Sequence, residues 1–343
     1  MATVQVSAGR TRGFSRLVLL IIAVSIGLSG LVLASINKTG ATPANLTLIM
    51  ALFIGSAVFA EVVVRFTAPY ADPVILPIAV TLTGLGLAMI YRLDLSYVQL
   101  GSPTNSPRQA IFAIGGVVAM AAVLIVVRNH RSLAKYTYTF MVISLLLLLL
   151  PVIPGIGVEN FGSQVWARIA GFTFQPAEFV KITLAIFFAG YLVANRDKLS
   201  VGGPKVLGMR LPRLRDLGPI LVVWLLGIAI LVLQKDLGTS LLFFGLFVAM
   251  LYVATNRISW IVIGALLFVP AALVAVKAFP HVQNRFTVWL NALDPAVYDA
   301  TGGSFQVVQG LFGMATGGLL GTGWGRGYPQ LVPLAHSDFI LSS

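Results

Sequence analysis

Nine apolar runs divide this chain, at roughly 15–36, 45–65, 73–91, 109–127, 136–153, 177–195, 217–233, 237–255 and 258–277. Runs of about 20 apolar residues match the hydrocarbon thickness of a bilayer. The chain is 58% hydrophobic and only 10% charged, whereas soluble domains carry about 25% charged residues. Nine buried helices with so little polar covering exclude a soluble protein. Backbone amides in lipid must be satisfied within each helix, so the runs predict an all-α polytopic membrane protein. A long loop, 278–337, follows the ninth run. The first run follows Arg10, Arg12 and Arg16 and exceeds a signal h-region, so it reads as a retained anchor. With no cysteine, disulfide and thiol chemistry are excluded.

The net charge of +12 suggests nucleic acid only until its distribution is considered. With the N-terminus in the cytoplasm, 14 of the 23 Lys and Arg fall on inner segments. The other nine are spread over much longer outer segments, which is the positive-inside bias. The basic stretch 196–216 is then a cytoplasmic loop beside anionic headgroups, and the loops 92–108, 154–175 and 278–337 face outward. Most acidic residues gather outside, at Asp94, Glu159, Glu178, Asp236, Asp294, Asp299 and Asp338. Inward Glu61 has Arg65 four residues on as a helix-face partner. Basic charge sets orientation, and no nucleic acid partner is expected.

Three outer segments carry polar residues at membrane boundaries. In "GVENFGSQVWARIAGFTFQPAEFVK", a glycine-bearing loop leads into a span at Pro176, a residue suited to a first helical turn. Glu178 there is favoured by the helix dipole, with Lys181 as its i+3 neighbour. The pair is either a boundary salt bridge or part of a site, since charge at this depth is costly. In "LQKDLGTSLLFFG", Asp236 is placed to cap the next helix. The glycine string 317–327 follows no strand, so it fails as a dinucleotide loop, and His336-x-Asp338 alone makes no ordinary metal site.

Four segments together, "FQPAEFVK", "KDLGTSLLF", "LDPAVYDATGGSFQVVQGLFGMATGGLLGTGWG" and "LVPLAHSDFI", resemble the signatures of the SEDS family (FtsW/RodA/SpoVE), in family order from about 150 to 343. The resemblance implies that about nine helices of a larger bundle are present. Residues 1–14 would be a cytoplasmic tail, 15–67 two additional helices, and 68–343 the family core with a catalytic loop at 278–337. Val165 stands before Trp166 where the family has arginine, with Arg168 two further on, and Asp299 precedes Ala300 instead of proline. Ser343 falls where another family span would begin, so about three spans are expected beyond it.

The implied activity is polymerisation of undecaprenyl-linked lipid II beside a class B penicillin-binding protein, in the bacterial cytoplasmic membrane. A sugar hydroxyl is a poor nucleophile and needs a carboxylate to take its proton. Asp299 is the expected general base, and Asp294-Pro295 reads as a turn. Pyrophosphate departure needs cationic help, for which Arg168 and Arg285 are candidates, with a divalent cation such as Mg or Mn as a further one. Glu178 and Lys181 would shape the polar floor, and Gln175, Gln306, His336 and Asp338 complete the substrate-binding candidates. Hydropathy alone also fits a flippase of lipid-linked precursors or a non-catalytic scaffold for wall enzymes, although no internal repeat of the transporter kind is visible.

Overall fold

In the computed structural model of the chain, the described residues are 8–42, 44–98, 104–160, 163–196, 205–206, 209–210 and 214–342. Eight helices among them are long and apolar enough to cross a membrane, and the chain is a helical, multi-pass membrane protein. The remaining run, the seventh at 217–233, coincides with a 20-residue helix at Leu214–Leu233, of which Leu221–Ile230 is a shorter apolar stretch. The basic stretch 196–216 lies mostly outside the described residues. Internal packing divides the chain into two units, residues 1–128 with 287–343, and residues 129–286.

The first unit contains α1 (Ala8–Thr39), α2 (Ala44–Thr67), α3 (Ile75–Tyr97) and α4 (Ser106–Val126). A Cβ added at Gly84 would stand 2.8 Å from Gly27 Cα, with the Phe53 ring of α2 equally close. Small residues let helix backbones approach where lipid supplies no hydrophobic drive for association. Leu20, Ala57, Ala60, Val80, Leu87 and Ala110 fill the interior around this crossing. Ile21, Val58, Leu82 and Val123 are exposed, as the lipid-facing side of a span must be.

Glu61 corrects the sequence reading. Its partner is Arg16 on α1, not Arg65: Arg16 Nε donates to Oε2 at 2.7 Å and Nη2 to Oε1 at 3.0 Å. Both residues are buried, whereas Arg65 is exposed. Burial decides between the partners, because an interior carboxylate needs its counter-charge inside as well.

The second unit contains α5 (Thr137–Leu149), α6 (Pro176–Ala194), α7 (Leu214–Leu233), α8 (Leu237–Thr255) and α9 (Ser259–Ala278). Aromatic rings dominate its core, with Phe187, Phe188, Phe243, Phe247 and Trp260 buried together. Ser144 Oγ donates to Thr183 Oγ1 at 2.7 Å across α5 and α6. Asp236 caps α8 as expected, accepting from the Thr239 amide at 3.0 Å.

The segment before α6, expected as a loop, is more ordered than that. It forms an antiparallel sheet of β1 (Gly157–Asn160), β2 (Ser163–Ile169) and β3 (Phe172–Phe174). Ala170 and Gly171, at φ 50° and 83°, join β2 to β3 in the two-residue manner that suits strand twist. Likewise, 278–337 contains three helices, α10 (Pro280–Leu290), α11 (Pro295–Tyr298) and α12 (Phe305–Gly317), which together make up about half of it.

Candidate functional site

In the second unit, the sheet runs directly into α6. Arg168 pairs with Thr173 across β2 and β3, and its Nε donates to Thr173 Oγ1 at 3.2 Å. Gln175 is the residue before the helix, in extended conformation, and Pro176 occupies the first turn. Pro176 and Ala177 are buried, and the polar residues follow immediately. Lys181 Nζ lies 2.6 Å from Glu178 Oε2, with the lysine side chain 31% and the glutamate 60% exposed. The ion pair foreseen from spacing therefore forms, and it leaves most of the carboxylate accessible. Arg285 is exposed on α10, with no side-chain partner among the described residues.

In the first unit, the loop bearing Asp299 is built by a chain of local bonds. Asp294 caps α11, its Oδ1 accepting from the Ala296 amide at 2.9 Å, which is the turn role expected for an Asp-Pro step. Asp299 ends that helix, and its amide donates to the Pro295 carbonyl at 3.1 Å. Gly303 then packs directly against the Val297 and Ala300 carbonyls, where no side chain fits. Ser304 is fully buried and donates to the Ala292 carbonyl at 2.5 Å. Tyr298 contacts α12 twice, edge-on to Phe305 at 5.4 Å and through Gln309 Nε2, which donates to its hydroxyl at 3.1 Å. Asp299 itself is exposed and has no side-chain partner among the described residues. The backbone is held while the carboxylate stays open to solvent or ligand.

Gln306 reaches back to the Pro333 carbonyl at 3.5 Å, a weak bond. His336 and Asp338 are exposed in the turn that follows, where Ser337 and Phe339 both donate to the Leu334 carbonyl. Ala335 beneath them is fully buried, with Val332 and Leu93. Among the described residues no group of three or more His, Cys, Asp or Glu gathers in metal-binding fashion. Magnesium held mainly by phosphate oxygens needs only one or two carboxylates. The accessible carboxylates of Asp299 and Asp338 fit that smaller demand.

The sequence reading missed two buried charges at the end of α3. Asp94 accepts from the Asn105 amide at 2.8 and 2.9 Å and from the Ser106 amide at 2.6 Å, covering the start of α4. Arg92 donates to the carbonyls of Gly325 and Gly327, both at 2.9 Å, and to Ser96 Oγ at 2.6 Å. The available signal was Arg-x-Asp at the end of an apolar run. A charge there must be either exposed or satisfied by distant chain.

A multi-pass helical membrane protein with a braced, carboxylate-bearing loop between its last described spans and its C-terminal turn is the class that fold and site define. The chain belongs to the FtsW/RodA/SpoVE family of cell cycle proteins, whose sequence model matches residues 72–343. It is similar to the peptidoglycan glycosyltransferase RodA of Mycobacterium tuberculosis strain H37Rv, 41% identical over 336 residues, covering 97% of this chain and 71% of that protein. RodA of Mycobacterium leprae is 43% identical over 286 residues, 82% of this chain and 60% of that one. A probable peptidoglycan glycosyltransferase FtsW of Geobacter metallireducens is 32% identical over 278 residues, covering 79% of this chain and 69% of its own length. The Mycobacterium tuberculosis match, over 97% of this chain, takes in α1 and α2, which precede the residues matched by the family model.

Proposed function

We propose that this chain polymerises lipid II into glycan strands on the outer face of the bacterial cytoplasmic membrane, with its N-terminus inside. The observation that carries the reading is the Asp299 carboxylate, exposed and without a side-chain partner among the described residues, on a loop braced by Gly303, Ser304 and Tyr298. The 4-hydroxyl oxygen of one sugar forms a bond to the anomeric carbon of the next. The bond from that carbon to the lipid pyrophosphate breaks, and the pyrophosphate leaves with the electron pair. Asp299 takes the hydroxyl proton as the new bond forms, then releases it to solvent.

A braced backbone suits this role, because misplacing a base by about 1 Å can cost about 10²-fold. Arg168 and Arg285 are proposed contacts for the leaving pyrophosphate, with Glu178, Lys181, Gln175, Gln306, His336 and Asp338 orienting the two substrates. A divalent cation, Mg or Mn, would neutralise pyrophosphate charge when bound, with Asp338 as its protein ligand. A class B penicillin-binding protein is the proposed partner, since nascent strands need crosslinking.

The test is Asp299→Asn in purified protein supplied with lipid II. The amide is nearly isosteric but cannot accept the proton, so polymerisation should fall about 10²- to 10⁴-fold while lipid II binding persists. Parental-like polymerisation by the variant would remove Asp299 from the role. Transfer of lipid II between leaflets by the parent, without polymer, would replace the reading with a flippase.

A further inference from the structure

The glycine-rich loop beyond α12 is fastened with more bonds than a simple connection needs. Gly321, Gly323, Gly325 and Gly327 all have positive φ, from 72° to 100°, and their alternation leaves Thr322, Trp324 and Arg326 as the only side chains between them. Four such glycines make the segment costly to order, because glycine loses the most backbone freedom on folding. Two helix ends supply the fastening. Asn37 of α1 donates to the Trp324 carbonyl at 2.6 Å, and the Trp324 ring lies over Gly30 of the same helix. Gly325 sits against Ala34 and Asn37 so closely that a Cβ there would stand 2.9 Å from the Ala34 carbonyl oxygen. On the other side, the buried Arg92 holds the carbonyls of Gly325 and Gly327.

Arg326 is thereby fixed by the peptide groups on either side of it. Its amide closes a turn on the Gly323 carbonyl at 3.2 Å. Its side chain is exposed and has no partner among the described residues. The loop lies at the ends of two membrane spans, where tryptophan commonly anchors at the interface and arginine meets phosphate. A guanidinium held at that level by a rigid backbone has much of its ordering cost already met before an anion arrives.

We propose that Arg326 binds the phosphate of a lipid-borne headgroup, and that Arg92 acts on this binding only indirectly, as a positioning residue. The inference rests on the polymerase reading for the source of that phosphate, a polyprenyl pyrophosphate. The chemistry of the site is shared with bulk anionic lipid and with free pyrophosphate.

The test measures binding, so it does not depend on polymerisation. The 343-residue chain in phosphatidylcholine nanodiscs is titrated separately with undecaprenyl pyrophosphate, inorganic pyrophosphate and added phosphatidylglycerol. Arg326→Gln should weaken binding of the favoured probe about tenfold, the scale of one charge-assisted bond. The probe with the largest Arg326-dependent loss identifies the phosphate source. Arg92→Lys keeps the charge but not the directed bonds, and should produce a similar loss in a folded protein. The milder Ser96→Ala, which removes one bond, should give a smaller loss. In the Arg326→Gln background, Arg92→Lys should add no further loss, which a merely structural role would not give. Unchanged affinity of Arg326→Gln for all three probes would overturn the proposal, as would additive losses in the double variant. Arg326-dependent binding by a chain that fails to polymerise would leave this site standing and count against the polymerase reading alone.

Discussion

Arg16 on α1 and Glu61 on α2 lie 45 residues apart and are joined by two charge-assisted hydrogen bonds, with both side chains almost wholly buried. Removing one partner strands a charge in the interior, at a cost of about 3–5 kcal/mol. Glu61→Leu alone should therefore lower the unfolding temperature in detergent markedly. The double variant Arg16→Met with Glu61→Leu should recover most of that loss, since apolar replacement of a whole buried pair is often neutral. A double variant less stable than either single one would contradict the pairing.

The pair at the start of α6 behaves oppositely. Glu178 and Lys181 are partly exposed, and such ion pairs contribute only about 0–1 kcal/mol. Glu178→Gln and Lys181→Gln should fold as the parent does, which thermal denaturation would check. The exchanged pair, Glu178→Lys with Lys181→Glu, should also fold but make no glycan from lipid II, as the proposed substrate role of each charge at its own place requires. Parental-like synthesis by the exchanged protein would reduce the pair to a structural bridge.

Gly303 offers a test of the brace under Asp299. A methyl group there meets the Val297 and Ala300 carbonyls, and neither is the flexible end of a side chain. Gly303→Ala should cost about 1–3 kcal/mol of stability and about 10²-fold in polymerisation rate through displacement of Asp299. Exposed Thr301→Ala, two residues away, should change neither quantity. Equal rates for both variants would show that loop position is immaterial.

Orientation can be read chemically because the chain has no native cysteine. Single cysteines at Thr301 and Ser200 should differ in intact cells, with a membrane-impermeant thiol reagent labelling the first and not the second. The reverse pattern would invert the proposed topology.

What could be read from the sequence depended on how far each interaction reaches along the chain. Spans, the Pro176 helix start, the Asp236 cap and the Asp294 turn all follow from neighbours within four residues, and the structure reproduces them. Glu61 misled because the local rule offered Arg65, while burial selected a partner on another helix. Arg92 was hidden for the same reason, since the carbonyls it holds are more than 230 residues away. The small sheet was missed because Ala170-Gly171 is a weak turn signal beside Asn-Gly, and its strands are only four, seven and three residues long. Asp299 was chosen on family resemblance alone, since a lone exposed aspartate has no spacing to betray it.

The contact of Gly27 with Gly84, wedged by Phe53, bears on how parts of this protein could be exchanged. The three residues work as lock and key: two bare backbones form a notch, and one ring fills its side. A chimera that kept residues 68–343 but took its first two helices from an unrelated protein would bring bulk to the notch or lose the ring. The graft would fail at a depth in the membrane far from any polar chemistry, and matching hydrophobicity or span length would not rescue it.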